Sequence, residues 1–454
     1  LSDTLLSFSA PGDTIRLTAT VKDDNGHEMG DATVTWITSD STLATVTSDG
    51  LVTAVATGTV DITATSGSIT RKAVAEIIDL CGNAIGNGAE IISGPMGPSG
   101  ADYDTAFRSL AVDPSNPDIV YLGTERNGIV KTTDGGITWE RLRYGLRHWP
   151  RQPPGMGYAE VWDIAVSPHD PSLVIAATLD SPGPVVGDYP STQGGVYRSE
   201  DGGATWKRSN CGLTNSRAVS VRFDPSDPDV VLLGIEGGEA SFTSLLGQYF
   251  PGALLRSEDR GHTWEPTTTP TNADRNGYWH LRARPNNAFI TFGFNYQDMT
   301  ENLGFLRSTD GGQSWTQFAP SLRELLITAF GVSADGQTIY AGERDLQKLY
   351  RSLDGGVTWV TIYTRGDEAI RVSPADPNLV LFANISGKLY RTTDGFTTTE
   401  TVLTAADRLH DVEFAPSNPN IVYAASRGYS VYRSDDGGAS FTLLVNLRTD
   451  GIIN

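Results

Sequence analysis

Acidic side chains set among aromatic ones are where this sequence offers chemistry. Glu160 and Asp163 flank Trp162, Glu236 and Glu239 share one glycine-containing segment, and Asp411 follows His410. Hydrolysis of a glycosidic bond needs two carboxyl groups facing each other across about 5–10 Å, one to protonate the leaving oxygen and one to attack or to activate water. Glu160, Asp163 and Asp411 are the candidates for that work if the chain is an enzyme, and their spacing does not pair them. Aromatic residues that could bind a ligand are Trp149, Tyr158 and Trp162, then Tyr189, Tyr249, Tyr278, Trp279 and Tyr296. Flat rings beside carboxylates suit a sugar or a protein partner equally.

Other chemistries find less support. The six histidines do not fall at metal-ligand spacing with a third acid, and the two cysteines, Cys81 and Cys211, cannot form a zinc site alone. No phosphate-cradling glycine loop or Gly-x-Ser-x-Gly nucleophile turn stands out. With 34 basic against 54 acidic residues the formal charge is −20, which repels phosphate backbones and anionic lipid. No cofactor, metal or nucleic-acid partner is expected. There is no apolar run of about 18 residues, so no transmembrane segment is expected, and the opening Leu1-Ser2-Asp3 reads as a trimmed, mature start.

Any such site must be held by repeating elements. The segment Ser352-Leu353-Asp354-Gly355-Gly356-Val357-Thr358-Trp359 has relatives ending at Trp139, Trp206, Trp264 and Trp315, with weaker ones ending at Thr399 and Phe441. Their acids are Asp134, Asp201, Asp259, Asp310, Asp354, Asp394 and Asp436. A period of about 40 to 70 residues matches one four-stranded propeller blade with loops of variable length. Within each copy Asp and Gly make the turn, the preceding Ser or Thr bonds the turn backbone, and the Trp packs on the blade. Forty-nine Gly and 24 Pro agree with many short strands and turns. In the first blade Phe107 to Val112 is the inner strand, followed by Ile119 to Gly123, Gly128 to Thr132 and the strand after the box. The expected fold is all-β, with a seven-bladed propeller over residues 104–454.

These copies resemble the Asp-box, or BNR, repeat of sialidases, xyloglucanases, sortilin-type receptors and photosystem II assembly factors. That resemblance implies a fold more than an activity. A sialidase would add three arginines around a substrate carboxylate and an Arg-Ile-Pro element. The latter is absent, Arg108, Arg217 and Arg408 are scattered, and the usual sialidase propeller has six blades. Xyloglucanases generally pair two seven-bladed propellers, whereas this chain has repeats for one.

Residues 1–78 follow a different grammar, with period-two runs such as Thr14 to Val21 and Val60 to Ala64. The run from Trp36 through Ala44-Thr45-Val46, Gly50-Leu51-Val52-Thr53-Ala54 and Gly58-Thr59 resembles the bacterial Ig-like domain of group 2. The resemblance implies a β-sandwich with Trp36 in its core, and export from a bacterium to the periplasm, cell surface or medium. Residues 79–103 read as the linker. In an exported protein Cys81 and Cys211 either bond to each other or remain separate buried thiols.

Antiparallel alternation puts the first turn of each blade and the Asp boxes on one face and the remaining loops on the other. Insertions at 143–160, 180–194, 236–252, 271–278 and 295–302 all fall on that second face, in blades one to four, where long loops on a rigid scaffold carry binding. Two functions follow. One is a non-catalytic, exported docking protein whose insertion-bearing face takes a protein complex or a cell-surface glycan. As the photosystem-assembly resemblance implies, such a complex would be met on the extracytoplasmic side of a membrane. The alternative is a secreted glycoside hydrolase with a carboxylate pair.

Overall fold

The computed structural model describes residues 1–77, 107–146, 160–179, 194–239, 249–270, 276–284, 288–294, 302–344, 348–363 and 369–446, apart from positions 3, 9–11, 24, 57, 126, 214 and 429. The chain divides into two compact units, Leu1–Glu90 and Ile91–Asn454.

The first unit is a two-sheet sandwich. Leu5–Phe8, Ile69–Ile77, Gly58–Ser66 and Thr35–Thr38 form one sheet, in that order, and Thr14–Arg16, Leu51–Ala54 and Ala44–Val46 form the other. Period-two burial along Leu51–Ala54 and Gly58–Ser66 sends Val52, Ala54, Val60 and Ile62 into a shared core with Leu6, Phe8 and Leu17. Trp36 packs against that core and remains partly exposed.

The second unit contains seven four-stranded antiparallel sheets among the described residues. Their inner strands are Phe107–Val112, Glu160–Val166, Ala218–Phe223, Gly277–Arg284, Ile327–Val332, Ala369–Val372 and Leu409–Ala415. Each blade is one contiguous stretch of chain, the last running from Leu409 to Asn446. Blades one and seven share a core, with Phe107, Leu110, Val120 and Leu122 against Tyr423, Ala425 and Val431, so the ring closes by packing one blade on the next.

Every Asp box folds through its own side chains. In blade five Ser352 Oγ donates to Asp354 Oδ1 and accepts the Gly356 N–H, both at 2.7 Å. Asp354 then accepts the Thr358 N–H at 2.9 Å and the Thr358 hydroxyl at 2.6 Å. Asp134, Asp201, Asp259, Asp310, Asp394 and Asp436 make the same bond to the N–H four residues on. Trp206, Trp264 and Trp315 are buried between neighbouring blades. Hydrogen bonds from Thr138, Thr358 and Ser440 hold Asp134, Asp354 and Asp436 down to about 2. A carboxyl titrating lower in the folded chain contributes stability that is complete above its ordinary value of 3.8 and is lost as pH falls toward about 2. The double variant Asp354→Asn, Asp436→Asn is therefore expected to lose stability less steeply than the parent across that window, read by tryptophan fluorescence.

A second feature of the repeat joins the blades. The basic residue just before each box Ser or Thr reaches the backbone carbonyl after the box Asp in the following blade. Lys131 donates to Gly202 O at 2.9 Å, Arg198 to Arg260 O at 2.8 Å and Arg256 to Gly311 O at 2.7 Å. Arg307 donates to Gly355 O, Arg351 to Gly395 O at 2.5 Å and Arg391 to Gly437 O at 3.2 Å. Arg433 closes the circle on Gly135 O at 3.4 Å and pairs with Asp118 at 2.8 Å. A charge-assisted bond to a carbonyl contributes about 1.5–3 kcal/mol, so Arg256→Met is expected to lower propeller stability by about that amount in a denaturant melt.

Candidate functional site

The inner strands enter the ring from the insertion-bearing face, and most of them bulge soon after they do. Pairing with the second strand slips between Phe107 and Ser109, Val161 and Asp163, Ala218 and Ser220, Trp279 and Arg282, Ile327 and Ala329, and Leu409 and Asp411. A bulge leaves one residue unpaired and re-aims its side chain. The residues so freed include Arg108, Trp162, His280 and His410. His280 has φ 64°, a left-handed conformation that a non-glycine residue adopts only under local constraint.

The residue after the bulge staples neighbouring blades. Ser109 Oγ donates to Val161 O at 3.4 Å and Ser220 Oγ to Tyr278 O at 2.7 Å. Asp163 Oδ2 accepts the Val221 N–H at 3.0 Å, and Asp411 Oδ2 accepts the Leu110 N–H at 3.2 Å. Both carboxylates also bind arginine: Asp163 takes Arg222 Nη1 at 2.5 Å, and Asp411 takes Arg371 Nη2 at 2.5 Å while Arg371 Nε reaches Glu413 at 2.7 Å. Glu160 is buried and accepts the Trp162 indole N–H at 2.9 Å, and the Arg108 guanidinium lies 4.8 Å above the Trp162 ring.

These groups line the axial channel from several blades at once. Burial pushes Asp411 up to about 6, with Arg371 opposing and Glu413 assisting the rise. Burial disfavours the charges of Arg222 and Arg371, yet Asp163 for the first and Asp411 with Glu413 for the second hold both above the ordinary arginine value. Arg282 goes the other way. Burial, then Arg371 and Arg222, bring it down to about 9 against the opposing charges of Glu413 and Asp411. Burial, then Arg282 with Arg371 and Arg222, keep His280 well below the usual imidazole range, and burial with Arg108 and Arg408 lowers His410 to about 3. At neutral pH both imidazoles are uncharged.

Nearer the mouth, Arg108 and Arg427 face Glu125, the latter at 3.7 Å, and Arg217 pairs with Glu236. The expected acids thus divide: Asp163 and Asp411 share the channel cluster, whereas Glu160 sits with Trp162 at the start of its strand. Tyr278 is fully buried in the core of blade four, which removes it from contact with a ligand arriving through solvent. Tyr249 lies in a short hairpin with Gly238–Glu239, and Trp279 lies on the inner strand of blade four. Trp149, Tyr158, Tyr189 and Tyr296 fall outside the described residues. Cys211 is disulfide-bonded, and Cys81 lies outside the described residues. Sequence reasoning missed the channel arginines Arg222, Arg282 and Arg371. Their signal is a lone arginine between apolar neighbours on an innermost strand, as in Val221-Arg222-Phe223, Leu281-Arg282-Ala283 and Ile370-Arg371-Val372.

Comparison with known proteins agrees with this architecture. Residues 9–77 match the bacterial Ig-like domain (group 2), and residues 194–348 match the family of sortilin, neurotensin receptor 3. A xyloglucanase from Paenibacillus sp is 26% identical over 258 residues, covering 55% of this chain and 20% of the relative. Xyloglucanase Xgh74A from Acetivibrio thermocellus is 25% identical over 290 residues, covering 58% of this chain and 31% of the relative. The chain thus spans less than a third of the length of these curated relatives. Among solved structures, the GH74 xyloglucanase of Xanthomonas campestris superposes with a TM-score of 0.56 at 18% identity, covering 75% of this chain and 54% of that one. YCF48 from Cyanidioschyzon merolae superposes at 0.51 and 17% identity, covering 71% and 94%. A structure of YCF48 bound to D1 peptide gives 0.51 at 14% identity, covering 73% and 94%. The chain joins an Ig-like domain of the group 2 bacterial type to a seven-bladed propeller of the BNR type.

Proposed function

We propose that this chain is a non-catalytic docking protein, exported from a bacterium, whose insertion-bearing propeller face receives a protein complex. The observation that carries the reading is the commitment of Asp163 and Asp411 to the ring itself: each accepts a backbone N–H of the next blade and a guanidinium. A carboxylate so engaged has little capacity left to hold an attacking water or deliver a proton. A peptide-bound structure of a similar propeller and the Ig-like unit, of a type found in exported bacterial proteins, support the same reading. Among the described residues no helix is long and apolar enough to cross a membrane, so docking on a membrane complex would be peripheral. A surface glycan is the other ligand this face would suit.

The second reading, a glycoside hydrolase, is favoured by the sequence similarity to xyloglucanases and by an Asp411 carboxyl that titrates near the range of a general acid. The test takes the whole protein in two arms. Affinity isolation from the native membrane or medium is expected to recover a defined complex, and incubation with a polysaccharide panel is expected to release no reducing sugar. Sugar release that disappears in Asp163→Asn, Asp411→Asn or Glu160→Gln, with the fold intact by circular dichroism, would sink the docking reading.

A further inference from the structure

Among the described residues, the axial channel contains one arginine, Arg282, that makes no ion pair of its own, although Asp411 and Glu413 act on it from a distance. Arg222 has Asp163 as its partner, and Arg371 has both Asp411 and Glu413. Arg282 donates to a single acceptor, the neighbouring Leu281 carbonyl at 3.0 Å, and lies over the Phe330 ring at 5.6 Å. Its Nε is buried without an acceptor. We propose that the channel binds one small monovalent anion on Arg282, with Arg222 and Arg371 as its cationic neighbours. This holds whether the propeller docks a partner or cleaves a glycan.

Three arguments converge on that ligand. A guanidinium enclosed by protein without a carboxylate in contact is unfavourable, and an anion from solution that pairs with it directly reduces the penalty. The contrast among the arginines locates the deficit: where Arg222 and Arg371 sit the surroundings favour the charge, and where Arg282 sits they oppose it. Asp163, Asp411 and Glu413 nearby would repel a dianion, which limits the guest to one negative charge. A planar carboxylate as small as formate can take two donors of the guanidinium fork, whereas chloride supplies charge alone.

The experiment follows the melting temperature of the whole chain at constant ionic strength as sodium gluconate, the bulky reference anion, is replaced by sodium formate or sodium chloride. A saturable rise obeying single-site linkage is expected, with formate tighter than chloride. In Arg282→Gln the apparent affinity is expected to fall by about tenfold or more. A rise that never saturates, one that gluconate reproduces, or one unchanged in Arg282→Gln overturns the assignment, and so does tighter binding of inorganic phosphate than of formate. If Arg282→Gln does not fold, the parent protein decides the matter through pH. Asp411 is faced by Arg371 from blade six, Arg282 from blade four, Asp163 from blade two and Glu413 on its own strand. Neutralising it as pH falls below about 6 should tighten formate binding by about threefold to tenfold. Equal affinity on both sides of that pH counts against the site.

Discussion

Arg371→Met is expected to cost the propeller about 3–5 kcal/mol of unfolding free energy at neutral pH, because it strands two partly buried carboxylates that form an ion pair with no other side chain among the described residues. Asp411 and Glu413 both depend on this guanidinium, and the side chain of Asp411 is only 15% exposed. The effect has a defined pH dependence. Asp411 titrates higher in the folded chain than its ordinary 3.8, at about 6, so its contribution to stability is complete at low pH and is lost as pH rises through that window. Removing Arg371 raises this carboxyl further, so the deficit of the variant should shrink as pH falls from about 7 to about 4. Asp411→Asn makes the contrast. It leaves Arg371 paired with Glu413 and an amide oxygen able to accept the Leu110 N–H, so a loss of only about 1 kcal/mol is expected. Urea melts of the three proteins at two pH values are sufficient, and equal losses for both variants would show that the cluster does not work as described.

Gly212→Ala is expected to cost about 3 kcal/mol or more, from the backbone alone. Gly212 has φ 85°, and a Cβ placed on it would lie 1.8 Å from the Trp264 carbonyl oxygen. That contact cannot be relieved by turning a side chain, because Trp264 N–H donates to Cys211 O at 2.9 Å and the indole donates to Ser209 O at 2.8 Å. The chain after blade two is therefore pressed against the Asp-box strand of blade three. Gly437→Ala is the control in the same ring: φ is 70°, yet the nearest atom to an added Cβ is 3.8 Å away. Only the cost of the left-handed backbone remains there, about 1 kcal/mol. Calorimetric transitions that fall equally in the two variants would mean that the close approach at Gly212 is absent.

What the sequence made legible was local. An Asp box is written within eight residues, from Ser352 to Trp359, and every bond that folds it lies inside that span. Strand and turn positions in blade one, such as Phe107–Val112, follow from the same short-range grammar. The channel is different, because its contacts join residues 40 to 301 positions apart. Asp163 and Asp411 could be noticed as acids on inner strands, but not that each meets the next blade and an arginine. Attention to Arg108, Arg217 and Arg408 overlooked the arginines that face the axis, Arg222, Arg282 and Arg371, since direction along a bulged strand cannot be read from spacing alone.

The basic residue before each box carries one more consequence. Its donor and the carbonyl that receives the preceding donor belong to the same repeat, so a unit copied in tandem arrives with both halves of its joint. The junction from Arg433 to Gly135 uses the same chemistry as the other six and marks no privileged beginning. Rings of this kind can gain or lose whole members by duplication or deletion without inventing a new interface, and new chain ends can be opened between any two members.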